Sequence, residues 1–305
     1  LDFSTISSIN YLFYNCKNII ELCLPPFNNI SSLDYFCSGC TSLKVVKNLQ
    51  PSNSSSVYMD YAFSNCINLE TIENCDFHNC YSAVGLFENC RNLKGLPPLM
   101  LFEAYKLDYA FRNCSNLKSL VIADWPNAIY SSPSCHGLFE GCTSLEKLTL
   151  PGFCNSFSWS ETVTSVFKDC FNLKEIIFTN VNSELTKVSS SNVATLLSNC
   201  YHFNGTADPV YNPEGLRDGV IRVPFESVNT LRQSSGWASF ASQIKSLDNT
   251  TVQSIPDITV LANKKSIYQE ALLLDFKTDT SLRKELSNIT KDKTVLIVAQ
   301  RISTI

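Results

Sequence analysis

Hydrophobic positions recur along the chain in one short pattern. The shared spacing is L-x-x-L-x-L, with Ile, Val or Phe replacing Leu at some positions, and it is clearest at residues 117–122, 145–150 and 173–178. This spacing predicts a short extended strand whose alternate side chains face opposite sides. In the first copy, we expect Leu120 and Ile122 to point into the core, and Ser119 and Val121 to point outward.

A second phrase precedes each strand: an aromatic residue or Leu, two further residues, and Cys. Full copies occupy residues 63–66, 87–90, 111–114, 139–142 and 167–170, and weaker copies occupy 13–16, 37–40 and 197–200. The repeat cysteines are Cys16, Cys40, Cys66, Cys90, Cys114, Cys142, Cys170 and Cys200. Their successive gaps are 24, 26, 24, 24, 28, 28 and 30 residues, the spacing of stacked supersecondary units.

Together the two patterns predict a leucine-rich-repeat solenoid. Each coil contributes one strand to a stack of short parallel strands, and the leucines form one continuous core. The Phe-x-x-Cys phrase is expected to form a short helical turn on the convex side, with Phe filling the core. Ser-, Asn- and Pro-rich stretches of varying length, such as residues 51–56, read as surface loops.

Composition narrows the possible functions. The chain has 305 residues, of which 44% are hydrophobic and 17% charged, and its formal net charge is −4. No basic stripe stands out, so we expect no nucleic-acid partner. No apolar run approaches the roughly 18 residues of a membrane span, and no charged-then-apolar leader opens the sequence.

The repeat cysteines are expected to be buried free thiols, because equivalent positions on successive coils stack in register. On this interpretation, Cys114→Ser should cost on the order of 1–3 kcal/mol by burying an unpaired hydroxyl. Disulfides remain an alternative, as Cys75 with Cys80 or Cys23 with Cys37.

Metal and catalytic sites have weaker sequence support. Zinc could be held by Cys37 and Cys40, or by Cys75, His78 and Cys80, but structural zinc sites normally require two such pairs. The three histidines, His78, His136 and His202, stand in loop-like contexts without a nucleophile beside them. We therefore expect no cofactor, no metal and no enzymatic activity.

The outward strand positions are the candidate ligand face, since the exposed strand face of such a solenoid is a regular surface for binding. They are Ser119, Val121, Lys147, Thr149, Glu175 and Ile177. The mixture of Val, Ile and Thr with few charges favours contact with protein. A plain solvated face is the alternative.

The repeat phrase resembles the BspA-type leucine-rich repeat. Residues 62–69 read A-F-S-N-C-I-N-L and residues 110–117 read A-F-R-N-C-S-N-L, and both are similar to that family's phrase. The segment 218–248 is similar to the end of such arrays, with Trp237 and Phe240 as lids over the last coil. The resemblance covers residues 1–248 and implies a secreted or cell-surface protein that binds proteins or glycans on another cell.

After a linker at residues 249–257, the segment 258–305 resembles the end of an ABC-transporter nucleotide-binding domain. An apolar strand ends at Asp275, which in that family would hold Mg²⁺, and Gln300 falls where the family has its switch histidine. The chain contains no G-x-x-x-x-G-K-[ST] loop and no L-S-G-G-Q signature. We therefore interpret this tail as a truncated fragment without ATPase activity.

Three functions remain open at this point. The first is a non-catalytic surface protein that mediates adhesion to a neighbouring or host cell. The second is a structural spacer module, and the third is a fragment of an ABC-type ATP-binding protein. The repeat supports a scaffold, whereas the adhesive role is implied only by the family resemblance.

Overall fold

The structure is a computed structural model that describes residues 6–25, 29–50, 56–101, 104–124, 134–152, 165–181 and 183–247. The chain divides into two units, Leu1–Ile258 and Thr259–Ile305. The second unit lies outside the described residues, and so do the predicted linker and ABC-like fragment.

The strands predicted from the leucine pattern form parallel sheets in a leucine-rich-repeat solenoid. One sheet has the order β1-β2-β4 and the other runs in sequence order from β6 to β11. The strands of the first are β1 (Glu21–Cys23), β2 (Val45–Lys47) and β4 (Thr71–Glu73). Those of the second are β6 (Leu99–Met100), β7 (Ser119–Asp124), β8 (Lys147–Leu150), β9 (Glu175–Phe178), β10 (Val220–Val223) and β11 (Ile244–Ser246).

The break between the two sheets falls where the fourth coil carries Pro97 and Pro98. Proline has no backbone N–H and cannot donate to a neighbouring strand, so the ladder is interrupted at this coil. Pairing resumes at Leu99, which lies opposite Ile122, with a register shift between Leu99 and Met100.

A second, shorter ladder runs along another side of the coils. Strands β3 (Val57–Tyr58) and β5 (Cys80–Ser82) pair in parallel within it. Isolated bridges extend it in both directions, from Ser8 through Ser32 to Tyr58, and from Ser82 through Lys106 to Ser134. The first six coils therefore contact one another along this second ladder, in addition to the strand pairing on either side of the break at the fourth coil.

The Phe-x-x-Cys phrase connects the two ladders and is not the helical turn expected from the sequence. In the third coil, the N–H groups of Tyr61, Phe63 and Asn65 donate to carbonyls of the following coil at 2.7–2.9 Å. The intervening N–H groups close turns within their own coil. Tyr61 and Asn65 adopt positive φ angles of 56° and 60°, which a regular helix does not contain.

The phrase aromatics stack along the core as expected. From Phe63 to Phe167, successive rings lie nearly parallel with centroids 5.4–6.1 Å apart, and all five are buried. The second coil differs, because Phe36 stands one residue earlier and Cys37 takes the usual aromatic position. Phe36 meets Phe63 edge-on at 6.3 Å, so the aromatic column continues through the exchange.

The predicted alternation of strand β7 is confirmed. Leu120 and Ile122 are buried, Ser119 is exposed, and Val121 is half-buried. This arrangement follows from the two-residue repeat of a strand that has one side against the core.

Helices appear only near the end of the described array. They are α1 (Ser183–Lys187), α2 (Ser190–Leu196), α3 (Tyr201–Asn204) and α4 (Val228–Gln233), with 3₁₀ turns at Phe225–Ser227 and Ala238–Phe240. Trp237 is fully buried, its ring meets that of Phe178 at 6.0 Å, and its Nε1 donates to the carbonyl of Leu185 at 2.8 Å. Trp237 thus closes the last apolar coil, while Phe240 packs beside it.

The aromatic column gives a direct stability prediction. Phe111→Ala should lower the free energy of unfolding by about 3–5 kcal/mol, because Phe111 is buried between two other rings. Phe225→Ala is the matched control, since Phe225 is 81% exposed and should lose little stability. Urea denaturation followed by circular dichroism measures both variants, and equal midpoints would contradict the stacked core.

Candidate functional site

The outward side of strands β7 to β9 carries the predicted ligand positions in two rows. Strand pairing aligns Ser119 with Lys147 and Glu175, and it aligns Val121 with Thr149 and Ile177. The sequence therefore predicted correctly which of these residues lie side by side. It did not predict how accessible each one is.

Two of the six positions are buried. Thr149 is 1% exposed and Ile177 is 0% exposed, whereas Ser119 is exposed and Val121, Lys147 and Glu175 are half-buried. The expectation that Thr149 and Ile177 face a ligand is therefore wrong for the free protein. The accessible part of this surface, named here the strand face, consists of Ser119, Val121, Lys147 and Glu175.

An ion-pair row crosses the strand face. Glu175 accepts from Lys147 Nζ at 2.9 Å through one carboxylate oxygen and from Arg222 Nε at 2.5 Å through the other. Burial raises the pKa of Glu175, but the two cationic neighbours outweigh this effect and hold its pKa below the usual value. Both carboxylate oxygens of Glu175 are thus already paired. Ser119 and Val121 are the two residues of the strand face that take no part in these ion pairs.

The repeat cysteines form a ladder of thiol donors. In seven coils, the thiol donates to a backbone carbonyl of the preceding coil, with Sγ–O distances of 2.9–3.2 Å. The accepting residue lies three positions before the repeat cysteine of that preceding coil. These seven, from Cys40 to Cys200, are buried, and Cys16 in the first coil is half-buried. All eight carry free thiols, and their structural role stays a prediction.

The ladder corrects one expectation about serine. The Cys114 thiol donates to the carbonyl of Phe87 at 3.2 Å, so a serine hydroxyl placed there would also have an acceptor. The unpaired hydroxyl that was expected to destabilise Cys114→Ser does not arise.

The other proposed chemical sites are not assembled by the fold. His78 and His136 belong to the fourth and sixth coils, and His202 is buried in helix α3, with Nδ1 2.6 Å from Asp218 Oδ1. The loop position expected for His202 is therefore wrong. Within the described ranges, no group of three His, Cys, Asp or Glu side chains could hold a metal, and Cys23, Cys37, Cys75 and Cys80 carry free thiols.

Sequence inspection missed two further rows, although both stand at fixed offsets from the repeat cysteine. Asx residues occupy the sixth position before it, as Asn10, Asp34, Asp60 and Asp108. Tyrosines occupy the fifth position before it, as Tyr11, Tyr35, Tyr61 and Tyr109. A search for the Leu and Cys spacings alone does not detect these Asx and Tyr positions.

The family model for the BspA type leucine rich repeat region matches residues 3–97 and 105–204. The chain belongs to the BspA-type leucine-rich repeat family. No curated protein matches the chain significantly.

Two solved structures of leucine-rich-repeat proteins are similar to the chain at less than 20% sequence identity. A leucine-rich repeat protein from Bacteroides ovatus is 19% identical, with 57% of this chain and 59% of that chain covered and a TM-score of 0.28. A leucine rich cell surface protein from Faecalibacterium prausnitzii is 17% identical, with 65% and 62% covered and a TM-score of 0.25. This chain thus spans about three fifths of each of these relatives.

Two further predictions concern the C-terminal segment and a membrane span. Neither the family match nor these two structures supports the ABC-transporter resemblance of residues 258–305. No helix in the described part of the chain combines the length and the apolar character of a membrane span.

The burial of Ile177 changes the outcome expected for substitution on this sheet. Ile177→Ala should lower the free energy of unfolding by about 2–5 kcal/mol, because it removes a fully buried side chain. Val121→Ala, in the same row but half-buried, should cost clearly less. Thermal denaturation ranks the two variants. A larger loss of stability for Val121→Ala than for Ile177→Ala would contradict the deeper burial of Ile177.

The thiol ladder predicts a sharp contrast in reactivity. Burial raises the pKa of Cys114 well above its usual value and that of Cys142 to about 12, so neither should be alkylated in the native state at neutral pH. Cys23 is exposed and should react readily with iodoacetamide. Peptide mass spectrometry before and after urea treatment reads all three sites. Native labelling of Cys114 as fast as that of Cys23 would contradict the ladder.

Proposed function

We propose that this protein is a non-catalytic, surface-located or secreted scaffold that attaches its cell to a protein or glycan on a neighbouring or host cell. The observation that carries the proposal is a rigid repeat array whose accessible side chains are held by backbone ladders on two sides. Membership of the BspA-type family is consistent with an interaction module. Location at the cell surface is likewise part of the proposal.

The strand face is the proposed contact surface. Its strands fix the spacing of outward side chains, so a partner meets a surface that does not reorganise on binding and costs little conformational entropy. Ser119 and Val121 stand beside the ion-paired Lys147 and Glu175. A small polar residue and an apolar residue next to fixed charges can contact a protein partner without leaving a charge unpaired.

The structural-spacer interpretation is the second candidate. It is favoured by the same ion pairs, because Lys147, Glu175 and Arg222 bind one another. A spacer would need the rigid array but no accessible binding surface. The two candidates therefore differ in whether substitutions at Ser119 and Val121 change attachment.

Adhesion of coated beads distinguishes them. Beads that carry the purified chain should attach to cultured epithelial cells, and beads with the double variant Ser119→Arg, Val121→Ser should attach several-fold less. The inserted arginine obstructs the strand face, while both positions are outside the core. Val210→Ser is the control, because Val210 is 74% exposed in the C-terminal region.

Three outcomes are informative. Loss of attachment in the double variant alone supports the strand face. Equal attachment by all beads removes the strand face from the proposal but leaves adhesion in place. Absence of attachment by wild-type beads on every cell type and matrix tested favours the spacer.

A further inference from the structure

A second accessible surface lies along the shorter backbone ladder of coils two to five. It consists of an aspartate row (Asp34, Asp60 and Asp108) between two tyrosine rows, and it is named here the tyrosine–aspartate face. The outer tyrosine row is Tyr58, Tyr81 and Tyr105, with neighbouring centroids 5.3 and 5.8 Å apart. The inner row includes Tyr35 and Tyr61, whose centroids are 5.1 Å apart.

Asp34 accepts hydrogen bonds through both carboxylate oxygens, whereas Asp60 and Asp108 each use only one oxygen within the fold. Asp60 Oδ1 accepts from the Ser82 hydroxyl at 2.6 Å and from the Val84 N–H at 2.9 Å. Asp108 Oδ1 accepts in the same way from Ser134 and from the His136 N–H. Among the described residues, nothing donates to Oδ2 of Asp60 or Asp108, so each of these oxygens remains available to an external donor.

Where the side chain at this position accepts hydrogen bonds from the next coil, the contact does not require a charge. In the first coil, the Asn10 amide oxygen accepts from the Ser32 hydroxyl at 2.6 Å and from the Asp34 N–H at 2.8 Å. These are the contacts that Asp60 makes two coils later. An amide therefore serves the coil contact, and the negative charge of the other coils is an additional property.

The charge on this surface is unbalanced. Over the fifth to ninth positions before the repeat cysteine in coils two to five, the acidic residues are Asp34, Asp60 and Asp108, and the only basic residue is Lys106. Elsewhere the coils pair their charges, as in the row Glu88, Arg112, Glu140 and Lys168. Among the described coils, the aspartate row has no such partner row.

The chain itself shows which group fits between carboxylates and a tyrosine ring. The Arg112 guanidinium lies 5.0 Å from the ring centroid of Tyr109, with nitrogens 3.5 Å from Glu88 and 3.4 Å from Glu140. In coils two and three, Ser38 and Ser64 replace this arginine. Tyr58 is 43% exposed and bridges to Ser32 of the second coil, so a small side chain lies beside its ring.

We propose that the tyrosine–aspartate face binds an arginine-bearing segment of a partner protein. Guanidinium groups would donate to the open aspartate oxygens and stack against the exposed tyrosine surface, as Arg112 does within the chain. The segment would lie across coils two to five, where the aspartates recur once per coil except in coil four. This surface is separate from the strand face and does not depend on the adhesive function proposed above.

The test uses a capped oligo-arginine peptide as the probe and an oligo-lysine peptide of equal length as its comparison. Binding to the full chain is measured by isothermal titration calorimetry at low ionic strength. Wild-type protein should prefer oligo-arginine, because lysine is a compact point charge without a planar face. The triple variant Asp34→Asn, Asp60→Asn, Asp108→Asn should bind about tenfold more weakly, the sum expected for three exposed charge contacts.

Two further variants make the result specific. Glu146→Gln, Glu214→Gln, Glu226→Gln removes the same number of charges at exposed positions elsewhere and should leave the affinity nearly unchanged. Tyr58→Ser copies the Ser32 of coil two and should reduce the arginine-over-lysine preference. The triple asparagine variant should keep its thermal midpoint, since Asn10 makes the same coil contacts.

Each alternative result overturns the proposal. Equal losses in the two triple variants would show that only net charge matters. Equal affinity for the two peptides would exclude guanidinium recognition. Failure to bind either peptide, together with Tyr58-dependent binding of neutral oligosaccharides, would assign the surface to glycans. None of these results bears on bead attachment through the strand face.

Discussion

The structure depends on one constraint: alternate N–H groups of each turn must meet carbonyls of the next coil. In the first seven turns, two residues adopt left-handed backbone to satisfy it, one and five positions before the repeat cysteine. Asn, Asp or Gly fills the first position, since these residues tolerate positive φ. The cysteine adds a thiol donor in the opposite direction, to a carbonyl of the preceding coil. The backbone path of one coil therefore fixes that of the next.

Side-chain rows extend this contact between coils. Asn113 Nδ2 donates to Asn89 Oδ1 at 2.9 Å, and Asn89 donates to Asn65 in the same way. Where Gly141 replaces the asparagine, the Asn113 amide occupies the space that a Cβ would need. Many polar side chains of this array thus serve the stack, and its surface composition alone is a poor guide to binding.

The sequence predicted the features that recur in every coil and are determined by the residues of that coil alone. Leu120, Phe111 and Cys114 are buried because every coil places the same residue types against the same core. The accessibility of Thr149 and Ile177 could not be predicted, because it depends on what lies over the sheet and not on strand alternation. The turn was misjudged for a related reason: its N–H groups bond to a neighbouring coil, which no local pattern encodes.

Comparing coils at one position separates what the fold requires from what the chain adds. Six residues before the repeat cysteine, Asn10 shows that an amide suffices and Val84 that no acceptor is needed at all. Five residues before it, Gly85 and Gly137 show that left-handed backbone is required but a ring is not. Neither the carboxylates nor the tyrosine rings of these rows are therefore demanded by stacking. In a repeat array, residues in excess of the structural minimum are where selection for a partner can act without disturbing the stack.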